Sequence, residues 1–237
     1  MERQDGATGI TAGPTTAVAV TFTPNARRLG IASALGTVLF AVAYVPVLII
    51  GFFSLASSHN AMGDPVFAIL EILIVLSMPL MIGLMVAVHA WAPADSKVFS
   101  LMALVFVSLL AGVTTSVHFV LLTVGRQVAF TGQTWMPLLL SFTWPSVTYA
   151  LDVLAWDVFF ALSALFAVPV FGGTRLTNSI RALLLVSGIL ALAGVSGVVV
   201  GNMQLRNIGI AGYAAVFPIA ALLLAILFER TPPREAV

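Results

Sequence analysis

Six long apolar stretches, separated by short polar segments, constrain the fold of this chain more than any other feature of its sequence. They occupy residues 29–52, 65–91, 98–123, 146–170, 181–201 and 208–228. A helix needs about 20 apolar residues to cross the hydrocarbon core of a bilayer, so each stretch is long enough. Because unpaired backbone groups are not tolerated in lipid, we predict an all-α polytopic bundle of six transmembrane helices.

The composition indicates a chain surrounded by lipid. Of its 237 residues, 60% are hydrophobic and 8% are charged, whereas a soluble domain carries about 25% charged residues. The lipid bilayer is therefore the first expected partner. The net charge of +1, without any basic stripe, predicts that the chain has no nucleic-acid partner.

The two ends of the chain are expected to lie outside this bundle. Residues 1–28 are rich in Thr, Ala and Gly and show no helical period, which predicts a disordered cytoplasmic tail. A cleaved signal peptide is not expected, since the charged start and the first apolar run are both too long. The six-helix domain then covers residues 29–228, and residues 229–237 form a second cytoplasmic tail.

The basic residues of the polar segments predict the orientation of the bundle. Cytoplasmic segments carry an excess of Lys and Arg. With the N-terminus inside, the outer segments hold only Arg126 and Arg206. The inner segments hold the other basic residues, namely Arg3, Arg27, Arg28, Lys97, Arg175, Arg181, Arg230 and Arg234. We therefore predict an N-in/C-in multi-pass protein of the cytoplasmic (inner) membrane.

Small residues on the fifth span predict a close helix contact. Ala193, Gly197 and Gly201 are spaced four apart, so on a helix they would share one face. Membrane helices approach closely through such faces, because lipid supplies no hydrophobic driving force between them. The face could pack inside the bundle or form the contact of a homo-oligomer, and the sequence leaves both interpretations open.

Three ionisable residues on three different spans are expected to lie at one depth. With a rise of about 1.5 Å per residue, Glu71, His118 and Asp152 each fall about 8–9 Å below the outer ends of their spans. Ionisable groups inside a membrane usually face the bundle interior and find partners. We therefore expect these three side chains to line one polar pocket in the outer half of the bundle.

Further side chains are expected beside this pocket. Arg126 and Arg206 lie just above its level, and Tyr149 and Trp156 share the helical face of Asp152. Asp157 is five residues beyond Asp152 and should point about 140° away from it at the period of an α-helix. By the same rise per residue, Asp157 lies about 17 Å below the outer end of its span, close to the midplane. There it has no obvious ionic partner and is a candidate proton carrier.

Three interpretations of the pocket remain open. It could be a polar network that fixes helix register, or a site that binds or transports a small solute and couples this to protons. It could also be an intramembrane enzyme site built from Glu71, His118 and Asp152. These three residues are weak metal candidates by ligand type alone, because no local metal-binding spacing supports them. An accessory or scaffold subunit that packs through the fifth span is a further alternative.

Several cofactor and enzyme classes are excluded by the residues that are absent. The sequence has no cysteine, which removes thiolate chemistry, and it has no P-loop, G-x-S-x-G or dinucleotide-binding fingerprint. The only lysine, Lys97, lies in a polar segment between spans, so it cannot carry a retinal Schiff base in the core. We predict no cofactor, and an enzyme is the less favoured class.

The fourth span carries a resemblance. Its segment "AWDVFFALSALFAVPVF", together with the six-span layout, resembles small bacterial six-helix integral membrane proteins of unassigned function. The resemblance implies a bacterial membrane protein. It assigns no role to any residue of this chain.

Overall fold

The computed structural model describes residues 22–55 and 62–233, and these residues form helices and connecting turns. Six of the seven helices are long and apolar enough to span a membrane, and the short α4 lies in a connection. The helices are α1 Pro24–Phe53, α2 Val66–Trp91, α3 Lys97–Thr123, α4 Met136–Leu140, α5 Val147–Val170, α6 Arg175–Val199 and α7 Asn207–Arg230. The prediction of an all-α bundle of six such helices is confirmed.

The six long helices pack as a closed ring in which each contacts its neighbours along the chain. Helix α1 packs against α2 and α7, which closes the ring, and α3, α5 and α6 follow between them. The first and last described segments therefore lie at the same end of the bundle. The opposite end holds residues 124–146 and 200–206, and we refer to it as the long-loop end.

Capping residues explain why two helices begin earlier than the hydropathy pattern predicts. Helix α1 begins at Pro24 rather than at residue 29, because the Thr23 hydroxyl accepts a hydrogen bond from the backbone N–H of Ala26. Helix α6 begins at Arg175 rather than at residue 181, because Thr174 and Thr177 form a reciprocal capping box. Part of the predicted N-terminal tail is thus helical, and residues 1–21 lie outside the described residues.

The outer surface of the ring is apolar. Many large hydrophobic side chains remain exposed, including Leu39 and Val199, which are 68% and 79% exposed. Such a surface is stable only against lipid or another apolar partner. It agrees with a multi-pass membrane protein in contact with a bilayer.

At the end opposite the long loops, Arg27 of α1 joins this helix to the last residues of α7. The Arg27 guanidinium donates hydrogen bonds to the backbone carbonyls of Phe228 and Glu229 at 2.9 and 2.5 Å. A cation at the C-terminal end of α7 satisfies carbonyls that the helix leaves unpaired. This contact fixes the N-terminal half of α1 against α7.

The C-terminal half of α1 packs less closely against the other helices. Four of the five buried residues of α1 lie in its first half, between Gly30 and Thr37, and the fifth is Gly51. Between Thr37 and Gly51 no residue of α1 is fully buried, and Phe40, Tyr44 and Leu48 line an open space inside the ring. This packing leaves space inside the ring at the long-loop end.

Two π-helical turns face this space. One lies in α5 over Leu154–Phe159 and the other in α7 over Ala211–Val216. The ring of Trp156 on the first lies 4.8 Å from the ring of Tyr213 on the second, measured between centroids. Single π-helical turns inside α-helices are frequent at functional sites, so this pair marks the space between them as a candidate site.

Candidate functional site

A continuous chain of ionisable side chains crosses the bundle at the long-loop end. It runs from Glu71 on α2 through His118 on α3 to Asp152 on α5, and from there to Arg206 and Asp157. All five residues are at least 95% buried. We refer to this set of five as the ionic network.

His118 is the centre of the first half of the network. Its Nδ1 atom lies 2.7 Å from Glu71 Oε2, and its Nε2 atom lies 3.3 Å from Asp152 Oδ1. A neutral imidazole has one N–H, whereas each of these contacts requires a proton between nitrogen and oxygen. The geometry therefore needs two protons, either both on His118 or one on His118 and one on a carboxyl group.

Arg206 is the centre of the second half. Its Nη2 atom donates to Asp152 Oδ2 at 2.5 Å, and its Nε atom donates to Asp157 Oδ2 at 3.0 Å. The guanidinium also lies over the ring of Tyr149, 4.7 Å from the ring centroid. Arg206 precedes α7 in the turn between helices, so this turn folds inward far enough to place a buried charge between two helices.

The expectation that Asp157 has no ionic partner is wrong, and Asp157 shares its partner with Asp152. Both contact Arg206, although an α-helical period would place them about 140° apart. The π-helical turn over Leu154–Phe159 is the reason. A π-helix closes i to i+5 hydrogen bonds, so residues five apart lie nearly on the same side.

Two glycines provide the space for Asp157. A Cβ atom built on Gly209 would lie 2.3 Å from Asp157 Oδ1, and one built on Gly194 would lie 2.8 Å from the same atom. Asp157 Oδ1 itself is buried without a hydrogen-bond partner among the described residues. The carboxylate therefore fits between α6 and the start of α7 only because both positions lack a side chain.

Gly209→Ala is expected to displace the Asp157 carboxylate from Arg206. Overpacking a close contact costs about 1–3 kcal/mol, and we expect a loss of that size in the free energy of unfolding. Reversible denaturation in mixed micelles measures it. In an Asp157→Ala background the same substitution should cost much less, and an equal cost in both backgrounds would contradict this explanation.

A cavity of about 610 Å³ adjoins the network at the long-loop end. Its walls come from α1, α2, α5 and α7 and from the two long-loop segments. Glu71, Asp152 and Arg206 form its polar wall, together with the predicted side chains Tyr149 and Trp156. The volume lies within the range of about 300–1,000 Å³ that is typical of small-molecule sites.

Arg126 does not take part in the ionic network. Its Nη2 atom pairs with Asp64 Oδ1 at 2.7 Å, and both side chains are partly exposed. The pair lines a separate, smaller cavity of about 260 Å³. The structure thus brings together seven of the eight predicted site residues and places Arg126 outside them.

The weak metal candidates do not form a coordination site. Among the described residues, no group of three or more His, Cys, Asp or Glu side chains could hold a metal ion. Both ring nitrogens of His118 already face carboxylates, on opposite sides of the ring, so Glu71 and Asp152 cannot converge on one ion with it.

The small residues of the fifth span serve contacts within the chain. A Cβ atom on Gly197 would lie 2.8 Å from the backbone nitrogen of Arg206. Gly201 lies in the turn beyond α6, with φ of +69°, so it is not on the same helix as Ala193. Gly197 therefore permits the turn that carries Arg206, and an oligomer through this face stays a prediction.

Sequence reasoning missed several residues around the cavity. Tyr44 on α1 and Tyr213 on α7 line it, and Phe142 packs 5.5 Å from the ring of His118. Tyr44 and Tyr213 lie within apolar spans, where a hydroxyl is a weak signal. Gly194 and Gly209 gave no signal, because nothing in their spacing points to an aspartate on another helix.

Comparisons with known protein families, with curated proteins and with solved structures gave no match for this chain. The resemblance of the fourth span to small bacterial membrane proteins therefore gains no support from them. The function of the chain has to be inferred from the geometry of the network and the cavity.

Proposed function

We propose that this chain is a solute-binding or solute-transporting protein of the cytoplasmic membrane, in which binding in the 610 Å³ cavity is coupled to protonation of the ionic network. The observation that carries the proposal is His118, which is held between two buried carboxyl groups beside the cavity. Intramembrane ionisable residues that line a cavity are typical of ion and solute pathways.

The arrangement supports proton coupling through its charge. With two protons in the His118 contacts, the five groups of the network carry a net charge of −1, since three carboxyl groups face one imidazolium and one guanidinium. An uncompensated charge in a low-dielectric interior is unfavourable. A third proton, or a solute of suitable charge, would neutralise the network. The two events are therefore linked.

The excess of basic residues at the other end of the bundle supports a cavity that opens to the outside. Residues of the long-loop end, including Leu55, Met62 and Thr143, form part of the cavity wall. A solute would therefore enter from the extracytoplasmic side and meet the network at the bottom of the cavity.

Infrared difference spectroscopy of the protein in nanodiscs tests the proton coupling. On acidification from about pH 9 to about pH 5, where exposed Asp and Glu stay ionised, we expect the carbonyl band of a protonated carboxyl group to appear. The band should weaken in Glu71→Gln and Asp157→Asn. Asp64→Asn, which changes an exposed acid at the same end, is the matched control. A spectrum without this band, or with the same band in all variants, would contradict the coupling.

Cysteine labelling tests the cavity and its orientation, because the chain has no cysteine of its own. Ala214 lines the cavity and Ala164 lies in the core with 1% of its surface exposed. A membrane-impermeant thiol reagent added to intact cells should modify Ala214→Cys and leave Ala164→Cys unmodified. Modification of Ala214→Cys only after the cells are opened would reject an outward-facing cavity.

A further inference from the structure

Glu71 brings one of the three carboxyl groups of the network to the cavity wall. This residue lines the cavity, and its Oε2 atom is engaged by His118. Its other carboxyl oxygen makes no hydrogen bond to any described residue. The cavity wall therefore presents a carboxyl oxygen that can accept a further donor.

The buried cation at the cavity, Arg206, is already compensated. It donates to Asp152 and to Asp157, so two carboxylates surround its charge. An anionic solute beside Arg206 would add to a network that carries a negative charge already. Like charges in a low-dielectric site repel strongly, so the wall disfavours an anion.

Aromatic rings make up much of the rest of the cavity wall. Tyr44, Trp156 and Tyr213 line it close to the acidic residues, and further rings come from Phe40, Phe52, Phe67, Phe142, Trp144, Tyr149 and Phe217. The face of an aromatic ring attracts cations, in particular ammonium groups. The site already uses this attraction once, where Arg206 lies over Tyr149.

A dehydrated metal ion does not fit this wall. Alkaline-earth ions need about six or more oxygen ligands, and the described residues form no metal-binding group. An ammonium group carried by an apolar body would meet both parts of the wall, since its charge faces Glu71 and its body contacts the rings.

We propose that the cavity binds a monovalent organic cation, an ammonium group attached to an apolar or aromatic body, and that the bound cation replaces the third proton of the network. The inference rests on the proposed function, because it assigns the solute class to the same cavity. The exchange is balanced: one cation enters the cavity and one proton leaves the network, so the net charge of the site does not change.

Calorimetric titration of the protein in nanodiscs with three probes of similar size tests the inference. The probes are benzylammonium, benzenesulfonate and benzyl alcohol, which are cationic, anionic and neutral. We expect the cation to bind at least about tenfold more tightly than the other two. Its affinity should fall on acidification, and binding at low pH should release about one proton per cation.

Variants assign the binding to the cavity wall. Glu71→Gln should weaken cation binding by about tenfold or more, whereas Asp64→Asn, an exposed acid outside this cavity, should not change it. If Glu71→Gln does not fold, Tyr44 provides a second test. Tyr44→Phe keeps the ring face and should retain binding, and Tyr44→Leu should lose most of it.

The outcomes separate this inference from the proposed function. If the anionic or neutral probe binds as tightly as the cation or more tightly, or if the cation does not bind, the assignment to the cation class is overturned. The infrared test of proton coupling does not depend on that result. Cation binding that releases no proton and is unaffected by pH overturns the exchange. Retained binding in both Glu71→Gln and Tyr44→Leu places the cation elsewhere and also overturns the inference.

Discussion

Replacement of Arg206 by methionine is expected to lower the free energy of unfolding by about 3–5 kcal/mol. The substitution removes the one side chain that contacts both Asp152 and Asp157. Asp152 keeps its contact with His118, whereas Asp157 loses its only hydrogen-bond partner among the described residues. A buried charge that loses its partner is among the most destabilising of single changes. Reversible denaturation with SDS in mixed micelles, followed by circular dichroism, measures the loss.

Two further variants show whether the unpaired acids cause that loss. Arg126→Met removes an arginine at the same end of the bundle, but its pair with Asp64 is partly exposed, so the cost should stay within about 1 kcal/mol. Adding Asp152→Asn and Asp157→Asn to Arg206→Met should recover much of the stability. A triple variant as unstable as Arg206→Met would show that packing, not charge, sets the cost.

The helix positions of the ionisable residues could be predicted because the rise of a helix is fixed. Glu71, His118 and Asp152 lie on three spans that alternate in direction, and counting from the span ends placed them at one depth. The structure joins these residues in one hydrogen-bonded series. The depth of a residue in the bundle follows from the direction of its span and the rise per residue, so the sequence was sufficient to predict it.

The direction of Asp157 could not be predicted, since it depends on a local change of helical period. In an α-helix, two side chains five residues apart point about 140° away from each other. In a π-helix, they point nearly the same way. Nothing in the segment Leu154–Phe159 signals the wider turn. The pairing of Arg206 with both aspartates was not predicted for a related reason, because the fold of a turn between helices is set by its contacts and not by a period.

A polar pocket was predicted, but the contribution of α1 to its wall was not, because that contribution depends on which half of α1 is packed against the other helices. Helix α1 is continuously apolar, and hydropathy does not distinguish its packed half from the half that faces the cavity. Only the contact of Arg27 with the C-terminal end of α7 and the buried residues Gly30 to Thr37 show where α1 is attached.

His118→Leu is the second substitution with a large expected effect. Glu71 loses its only hydrogen bond among the described residues, while Asp152 retains Arg206, so we expect a loss of about 3 kcal/mol in the free energy of unfolding. The infrared band of the acid-induced protonation should also change, since Glu71 and Asp152 no longer share protons with His118.

His89→Leu is the matched control for this substitution. His89 lies on α2, is half-buried and makes one side-chain hydrogen bond, to Ser100 at 2.9 Å, so its loss should cost about 1 kcal/mol. A second change, Glu71→Leu in the His118→Leu background, removes the unpaired acid and should restore most of the stability. If His118→Leu costs no more than His89→Leu and leaves the infrared spectrum unchanged, His118 does not join the two carboxyl groups, and the proton-coupled network has no centre.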